Sequence, residues 1–402
     1  MRTAVPERQS IISGVGQSAV GRKLGRSELD LTMDACLSAI SDAGLARDDI
    51  DGLVTFPGRV NVPPPGFTGP GTDEIQDALR LELGFRLSSF DGPGQLQAVV
   101  NACLAIAGGL ARHVLVYRTV TESSGQGAGG RSGSGLDPSG KPGARVKGPM
   151  SWQIPMGGFS TANIMAMMAQ RHFSVHGTTK QQLGWIPVTE RRHASMNPGA
   201  VLRAPMTMQD YLASRMISTP LSLYDCDIPV DVSTALVVSH RDYAPDGPHQ
   251  AIHVNALGTA ARNRPSWDQY PDLASMAAVG AADHLWSRTD LRPRDVDVAN
   301  LYDGFSILAL IWMESLGLCP TGEAGPFIEG GRRITHGGDF VLNPHGGQLS
   351  AGRAHGFGFL HEAVVQLRHE AGGRQVADAE VAVISNGAGP MTGCMLLTRG
   401  EA

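Results

Sequence analysis

The chain has 402 residues, a formal net charge of −5 and 42% hydrophobic residues. This is the composition of a globular protein large enough for two or three domain-sized units. The charge is small and mixed and no basic run is present, which argues against a nucleic-acid partner. The N-terminus has no apolar signal core and no stretch is long enough to span a membrane. We therefore expect a cytoplasmic protein with no membrane partner.

The cysteines are scattered and form no CxxC pair, which argues against a zinc site and against a disulfide framework. They are Cys36, Cys103, Cys226, Cys319 and Cys394. The sequence accordingly predicts no bound metal.

Two segments in the first half of the chain predict a strand and a helix in that order. The apolar run IISGVG from Ile11 is typical of a short buried strand, and residues 27–45 show helical spacing of apolar side chains. An acidic turn, ARDDIDGLVTF, then leads into another strand. The same order returns from Ala251 in AIHVNALGTA, a helical segment and RPRDVDVANLYDGF.

The two halves continue in parallel through a glycine-rich turn, a helix and a strand. The first copy starts at Phe90, and the second starts at Asn343 with NPHGGQLSAGRAHGFGFLHEA. Alternating strands and helices with short connections predict layered α/β packing. We predict two similar halves, residues 1–250 and 251–402, related by a pseudo-two-fold axis with a cleft between them.

An insertion of about residues 121–220 interrupts the first half. It begins with a glycine-rich stretch from Ser123 to Gly148, which is predicted to be mobile. Helical patterns follow, and we interpret them as a helical subdomain that lies over the cleft.

The loop that begins at Asn343 is the best candidate for a site. Its glycines let a backbone approach a ligand, and the start of the following helix favours negative charge. His345, Arg353 and His355 accompany this loop. A glycine-rich loop with solvated polar groups is the alternative interpretation.

The motifs resemble the thiolase superfamily, and within it the lipid-transfer-protein or sterol-carrier-protein-X branch, which includes the thiolase-like aldolases of bacterial steroid side-chain degradation. The resemblance covers nearly the whole chain. The phrases that carry it are ARDDIDGLVTF, SLYDCDIPVDVSTALVVS, YDGF…ESLGLC, GEA…F, HGGQL…HG and SNGAGPMTG. It implies two similar βαβαβαββ halves in a five-layer αβαβα fold, with a helical loop subdomain inserted in the first half.

The residues at the thiolase catalytic positions are changed in this chain. The turn DGPG, near Gly92, has no nucleophilic cysteine, and Cys103 lies inside the predicted helix. Arg353 replaces the activating histidine, Ser385 replaces the second cysteine, and Tyr302 stands where thiolases have an asparagine or histidine. Because the acyl-enzyme route needs an activated nucleophile, ordinary thiolase chemistry is not expected.

The resemblance implies an enzyme that binds an acyl-CoA thioester, with coenzyme A as part of the substrate and no separate cofactor. We predict retro-aldol cleavage of a 3-hydroxyacyl-CoA, with Tyr302 as acid/base and Arg353 supplying a favourable field. The related aldolases have a second tyrosine where this chain has Arg353, which cannot act as a base. His355 is a further catalytic candidate, and His345 could donate to the thioester oxygen.

Other residues are expected to line the substrate site, each with a structural alternative. Asp91 could contact substrate or start a helix, and Asp303 could orient a neighbour or, slightly favoured, cap the helix after it. The remaining predicted binding residues are Gly92, Ser160, Gly346, Gly347, Ser385, Asn386 and Gly387.

Two other functions stay open. The chain could be an acyltransferase or condensing enzyme with an unusual nucleophile such as Ser385, or a non-catalytic acyl-CoA-binding subunit. The resemblance also implies a homodimer and a small OB-fold, zinc-ribbon partner protein that completes a heterotetramer.

Overall fold

The computed structural model describes residues 5–58, 65–89, 94–126, 150–153, 155–158, 160–261, 270–387 and 389–400. The strands in this part of the chain are β1 (Ser10–Gln17), β2 (Gly52–Thr55), β3 (Phe85–Ser88), β4 (His113–Thr121), β5 (Met216–Ser218), β6 (Leu221–Ser222), β7 (Asp231–His240), β8 (Ile252–Ala261), β9 (Val298–Asn300), β10 (Val341–Leu342), β11 (Val381–Asn386) and β12 (Met391–Thr398).

The α-helices in the same part of the chain are α1 (Glu28–Asp42), α2 (Thr72–Leu79), α3 (Gln97–Ala107), α4 (Glu122–Gly125), α5 (Met150–Gln153), α6 (Thr161–His176), α7 (Lys180–Leu183), α8 (Trp185–Ser195), α9 (Met208–Leu212), α10 (Ala278–Trp286), α11 (Ser306–Ser315), α12 (Ala324–Ile328) and α13 (Phe357–Leu367).

The first strand and helix form where the sequence predicts them. Ser27 caps α1 by accepting a hydrogen bond from the N–H of Asp30 at 3.0 Å. The helix ends at Asp42, and Gly44, two residues further on, has a φ of 71°, the left-handed conformation that glycine favours after a helix. Gly14 lets β1 lie directly against α1, because a Cβ there would overlap the Ala39 carbonyl. Local sequence signals and close packing thus agree in this unit.

The main sheet contains one strand arrangement twice. Its order is β10-β9-β11-β12-β8-β1-β7-β4-β2-β3, and β8 and β1 join the two sets through a short antiparallel contact. In each set two pairs of strands are parallel, β2 with β3 and β4, and β9 with β10 and β11. The remaining pairs in each set are antiparallel. The limits of the two predicted halves, at residues 250 and 251, stay a prediction.

Three buried clusters separate the layers. One packs α1 and α2 against the outer face of the first set of strands. The central cluster holds α3 and α13 between the inner faces of both sets, and another packs α10 and α11 on the far side. The resulting order is helix, sheet, helix, sheet, helix, so the predicted five-layer α/β arrangement is confirmed.

The insertion follows β4. Most of its glycine-rich part, residues 127–149, lies outside the described residues, so its predicted mobility remains untested. The helices α6 to α8 follow, and they pack against α11 and α12 of the second half. Within the described ranges, no helix combines the length and the apolar character that crossing a membrane would require.

Candidate active site

Polar side chains from both sets of strands meet at the ends of β4, β9 and β11. Arg118 lies near the end of β4, Tyr302 follows β9, and Ser385 lies near the end of β11. Carboxyl ends of strands at a change in topology are the usual binding positions in α/β proteins. Gln95 joins the halves here, because its backbone N–H donates to the Asn386 side chain at 3.3 Å. Groups from both sets of strands therefore meet in the region where the sequence predicts a cleft.

Tyr302 is held in place by its own backbone. Its N–H donates to the Ser385 hydroxyl at 2.9 Å, and its ring, which is partly buried, meets the edge of Phe359 at 6.3 Å between centroids. The Tyr302 phenol also interacts electrostatically with the guanidinium groups of Arg118 and Arg353. Since the Ser385 hydroxyl is fully buried and accepts this hydrogen bond, Ser385 positions Tyr302 in this structure.

Arg353 is buried between two carboxylates. It forms an ion pair with Glu122, and its Nη1 lies 3.5 Å from the Asp227 carboxylate. Although burial opposes the charge, Asp227 and Glu122 raise the pKa of Arg353 above its ordinary value. The guanidinium is thus permanently charged, and its carboxylate partners come from other parts of the chain.

His355 uses both of its ring nitrogens within the protein. Nε2 lies 3.2 Å from the Glu122 carboxylate, and Nδ1 lies 3.1 Å from the Gln95 amide nitrogen. Burial lowers the pKa of His355 to about 4, against the attraction of Glu122. A neutral ring then donates from Nε2 to Glu122 and accepts the Gln95 amide at Nδ1. His355 therefore positions Glu122 and Gln95 and has no free nitrogen for substrate in this arrangement.

Arg118 has an unused donor edge. Its side chain is 2% exposed, and Nη1 donates to the Thr119 carbonyl at 3.2 Å. Nε and Nη2 have no hydrogen-bond partner in the described part of the chain. Burial lowers the pKa of Arg118 to about 10, partly offset by Glu122, so the group stays protonated at neutral pH. An unsatisfied buried donor costs roughly 1–3 kcal/mol, and an acceptor on a ligand would remove that cost.

The glycine-rich loop forms a π-helical turn, Gly347–Ala351. Gly346 and Gly347 have φ values of 107° and 61°, which only glycine adopts readily. A Cβ on Gly347 would also overlap the carboxylates of Asp303 and Glu190. These two glycines shape the loop by their conformation, and their predicted contact with the substrate stays a prediction.

Asp303 holds this turn by hydrogen bonds to its backbone. Its carboxylate accepts the N–H groups of Gln348 and Leu349 at 3.0 and 3.2 Å. The interpretation of Asp303 as the cap of α11 is wrong, because Phe305 occupies the N-cap position and makes no side-chain cap bond. The Asp303 carboxylate instead accepts the N–H groups of the π-helical turn, which would otherwise have no partner.

Glu190 and Asp303 form a buried acid pair. Burial and the Asp303 charge raise the pKa of Glu190 well above its ordinary value, and burial raises the pKa of Asp303 to about 6. Asn343 donates to Glu190 at 2.7 Å, so both carboxyls are fixed. Two adjacent carboxyls in a buried site are most stable when they share one proton. We infer that Glu190 holds that proton and donates it toward Asp303.

This pair predicts an unusual pH dependence. A raised pKa in the folded state gives stability that is complete below the unfolded-state pKa and is lost as pH rises through about 6. Glu190→Gln supplies a hydrogen-bond donor that does not titrate. As the pH rises, the free energy of unfolding of this variant should therefore increase relative to that of the wild type, by up to about 1.4 kcal/mol per pH unit. Urea unfolding of both chains between pH 4.5 and 7 measures this difference.

Glu362→Gln is the matched control, since Arg374 and His345 lower the pKa of Glu362 although burial raises it. Glu362→Gln should lower the free energy of unfolding by an amount that stays nearly constant from pH 7 down to about 5 and shrinks only as the pH falls through the ordinary glutamate pKa of about 4.3. A Glu190→Gln difference that stays constant across the range would contradict the shared proton.

His345 lies in a different environment from the one predicted for it. It lines a cavity of about 70 Å³ together with His361, Glu362 and Arg374. Burial lowers its pKa to about 4, and its ring meets Phe359 at 5.4 Å. Gly352 and Ala354 also line this cavity, whereas Arg353 and His355 are not among its lining residues, so His345 faces a space that those two side chains do not share.

The other predicted binding residues have local roles or lie outside the described ranges. Ser160 caps α6 by accepting the N–H of Ala162 at 3.2 Å. The carbonyl of Gly387 accepts a hydrogen bond from the indole of Trp312 at 2.7 Å, and the Asn386 side-chain nitrogen is buried without a partner among the described residues. Asp91 and Gly92 are not among the described residues.

Four side chains of this site were not predicted from the sequence, namely Arg118, Glu122, Asp227 and Gln95. Two signals were present: Arg118 interrupts the apolar strand HVLVYRTVT, and Glu122 follows directly at its carboxyl end. A charged pair at the end of a buried strand is a site signal in α/β folds. Cys103, by contrast, is buried in α3 and its pKa is raised to about 12 by burial, as expected for a core thiol.

The comparisons with known proteins identify the fold first. The family described as "Thiolase C-terminal domain-like" matches residues 259–397. An acetyl-CoA acetyltransferase from Syntrophomonas wolfei has the same fold, with a TM-score of 0.67 at 14% identity over 99% of this chain and 100% of that one. The molecule is therefore a thiolase-fold protein.

The most similar relatives among the proteins compared identify the branch of the superfamily. A steroid side-chain-cleaving aldolase of Thermomonospora curvata is 34% identical over 96% of this chain and 97% of its own length. A 17-hydroxy-3-oxo-4-pregnene-20-carboxyl-CoA lyase of Mycobacterium tuberculosis is 33% identical over 97% and 99%. A solved Ltp2–ChsH2(DUF35) aldolase superposes with a TM-score of 0.86 at 30% identity, over 98% and 99%. The chain belongs to the thiolase-like aldolases, a lyase branch of the thiolase superfamily.

Proposed function

We propose that the protein cleaves the Cα–Cβ bond of a 3-hydroxyacyl-CoA by a retro-aldol reaction, with Tyr302 as acid/base. The observation that carries this proposal is the position of the Tyr302 phenol within the field of the buried Arg118 and Arg353. A free tyrosine has a pKa near 10, and nearby cations favour its phenolate. Tyr302 can then accept a proton without a cysteine at the site.

The proposed reaction needs one acid/base and one oxyanion receptor. The Tyr302 phenolate takes the β-hydroxyl proton, Cβ becomes a carbonyl carbon, and the Cα–Cβ electrons pass into the thioester enolate. Tyr302 then returns the proton to Cα. Donors aimed at the developing enolate oxygen supply much of the rate acceleration in such steps.

Arg118 is the proposed oxyanion receptor. The N–H groups of Nε and Nη2 lie on the same edge of a planar guanidinium and donate in parallel. A 3-hydroxyacyl thioester carries a carbonyl oxygen and a β-hydroxyl oxygen in a 1,3 relationship, so both can face this edge. The unused donors of Arg118 in the described structure support this assignment.

Arg353 has a different proposed role. Its ion pairs with Glu122 and Asp227 fix its charge. His355 and Gln95 in turn hold Glu122. We assign this network to positioning and to the electrostatic field at Tyr302.

The substrate is proposed to have a bulky, steroid-like acyl group, as the printed names of the relatives suggest. Supporting this, the helical insertion carries an apolar groove of about 320 Å³ beside α6. Its apolar lining includes Trp152, Met156, Ile164 and Met167.

The proposed assembly is a homodimer joined to a small OB-fold, zinc-ribbon protein. The strand β3 is largely exposed at the edge of the main sheet, which supports pairing between copies. The solved relative is described as a complex with a DUF35 protein. No disulfide joins the cysteines in the described part of the chain, which fits a reducing cytoplasm, and we propose that location.

An assay of acyl-CoA substrates tests the function. Purified protein, with and without the proposed OB-fold partner, is given bulky and linear 3-hydroxyacyl-CoAs, and release of a ketone or aldehyde and of the shortened acyl-CoA is measured. We expect cleavage of the bulky substrates, strongly increased by the partner. Acyl transfer with a covalent acyl-enzyme detected by intact mass would favour the alternative acyltransferase. Binding of the CoA esters without turnover under any condition would favour the non-catalytic subunit.

A further inference from the structure

A second group of chemically active side chains lies outside the candidate active site, where the helical insertion meets the second half. His172 and His176 are on α6, and Glu314 is near the end of α11. One potential ligand atom from each residue lies within 4.8 Å of the other two. The cluster connects the insertion to the helix that follows Tyr302.

The residue types and spacing are those of a metal site. Histidines four residues apart project from the same face of a helix. Two imidazoles and a carboxylate suit Zn²⁺ and similar divalent transition metals, with water completing a four-coordinate site. His172 Nε2 lies 3.2 Å from each Glu314 oxygen, a separation that two ligands of one tetrahedral ion also have, since each bond is about 2.0–2.2 Å.

Charge and burial agree with this interpretation. His172 is fully buried and Glu314 is 7% exposed, while His176 is partly exposed and leaves a path for an ion. Glu314 also accepts the N–H of Ala324 at 3.1 Å, so its carboxylate is held in place beside the two histidines. The protein thus holds an anion in its interior next to two imidazoles.

A plain His172–Glu314 hydrogen bond does not account for the whole cluster. It gives no reason for the second imidazole, whose ring centroid is 4.7 Å from that of His172. A bound cation accounts for the convergence of all three side chains.

We propose that His172, His176 and Glu314 bind one divalent transition metal ion of the Zn²⁺ class. The ion fastens α6 of the insertion to α11 of the second half. Its role is structural, because the ligands lie in a different part of the fold from Tyr302 and Arg118. A ligand that binds only the folded state stabilises it, so the metal should raise the melting temperature.

The test compares metal-free wild-type protein with two variants. His176→Gln removes the partly exposed ligand, and His240→Gln removes a partly exposed histidine that pairs with Asp242 elsewhere. Chelator-treated proteins are titrated with Co²⁺ and with Zn²⁺, and Tm is measured with and without Zn²⁺. Circular dichroism in chelator checks that all three chains are folded.

We expect the wild type and His240→Gln to bind one Co²⁺ per chain, with the visible absorption of a four-coordinate nitrogen and oxygen site and without a sulfur charge-transfer band. His176→Gln should bind at least tenfold more weakly and lose the Zn²⁺-dependent rise in Tm. Equal binding by His176→Gln and the wild type, a thiolate signature, or no stoichiometric binding by the wild type would overturn the proposal. These outcomes do not depend on cleavage activity.

Discussion

Tyr302→Phe is expected to reduce C–C cleavage of a 3-hydroxyacyl-CoA by about 10²–10⁴-fold, the usual contribution of a positioned acid/base. The substitution removes only the phenolic oxygen. The backbone N–H that bonds Ser385 and the ring edge against Phe359 are both retained. The loss should therefore appear in kcat with little change in KM or in Tm, measured by steady-state kinetics and thermal unfolding.

Tyr243→Phe provides the matched control. Its hydroxyl donates to the Ala43 carbonyl at 2.8 Å, in a small separate core cluster. This variant should lose about 1 kcal/mol of stability and keep its activity. Full activity in Tyr302→Phe, or an equal loss in both variants, would refute the assignment of Tyr302.

Arg118→Lys is expected to lower kcat by about 10²–10³-fold, as removal of an oxyanion donor does. Lysine keeps the positive charge near Tyr302 but lacks the pair of parallel N–H groups at Nε and Nη2. The variant therefore separates the directional donors from the charge. Kinetics with the bulky 3-hydroxyacyl-CoA measure the effect, and competitive inhibition by a non-cleavable acyl-CoA measures ground-state binding.

The control for this prediction is Arg288→Lys, since Arg288 pairs with Glu7 on the opposite part of the fold. It should lower stability and leave kcat unchanged. If Arg118→Lys retains nearly full activity, the charge alone is sufficient and the proposed receptor is wrong. If Arg118→Lys and Arg288→Lys lose activity in proportion to stability, Arg118 is a structural residue.

Much of the fold could be predicted because local and global signals coincide. In β1 and α1, the apolar spacing, the Ser27 cap and the terminal glycine all indicate one arrangement. The repeat of acidic turns and glycine turns predicted two similar halves. The structure repeats the strand order accordingly, and each copy buries one helix between the two sheets.

The site was harder to predict because it depends on contacts between distant segments. His345 and Arg353 are neighbours in sequence, but the turn between them directs their side chains to different environments. Glu122 is far from both in sequence, and yet it pairs with Arg353 and His355. Motif spacing identifies the loop, whereas partners from β4 decide what its side chains can do.

The arginine at position 353, where the resemblance to thiolases implies a histidine, also has a physical explanation. The buried carboxylates of Glu122 and Asp227 require a permanent cation, and arginine supplies one at any pH at which the protein is folded. A histidine in this place would be neutral or would need a proton. The same network that stabilises Arg353 makes it unsuited to removing a proton from substrate.

The central claim is that the reaction proceeds through a thioester enolate without an acyl-enzyme. Cleavage of a bulky 3-hydroxyacyl-CoA by the protein with its partner in D₂O, followed by mass spectrometry of the acyl-CoA product, tests it most directly. We predict a ketone or aldehyde product and an acyl-CoA that carries one deuterium at Cα, formed without added free CoA. A 3-hydroxyacyl-CoA that stays intact, while a 3-ketoacyl-CoA is cleaved only when free CoA is added, would contradict it.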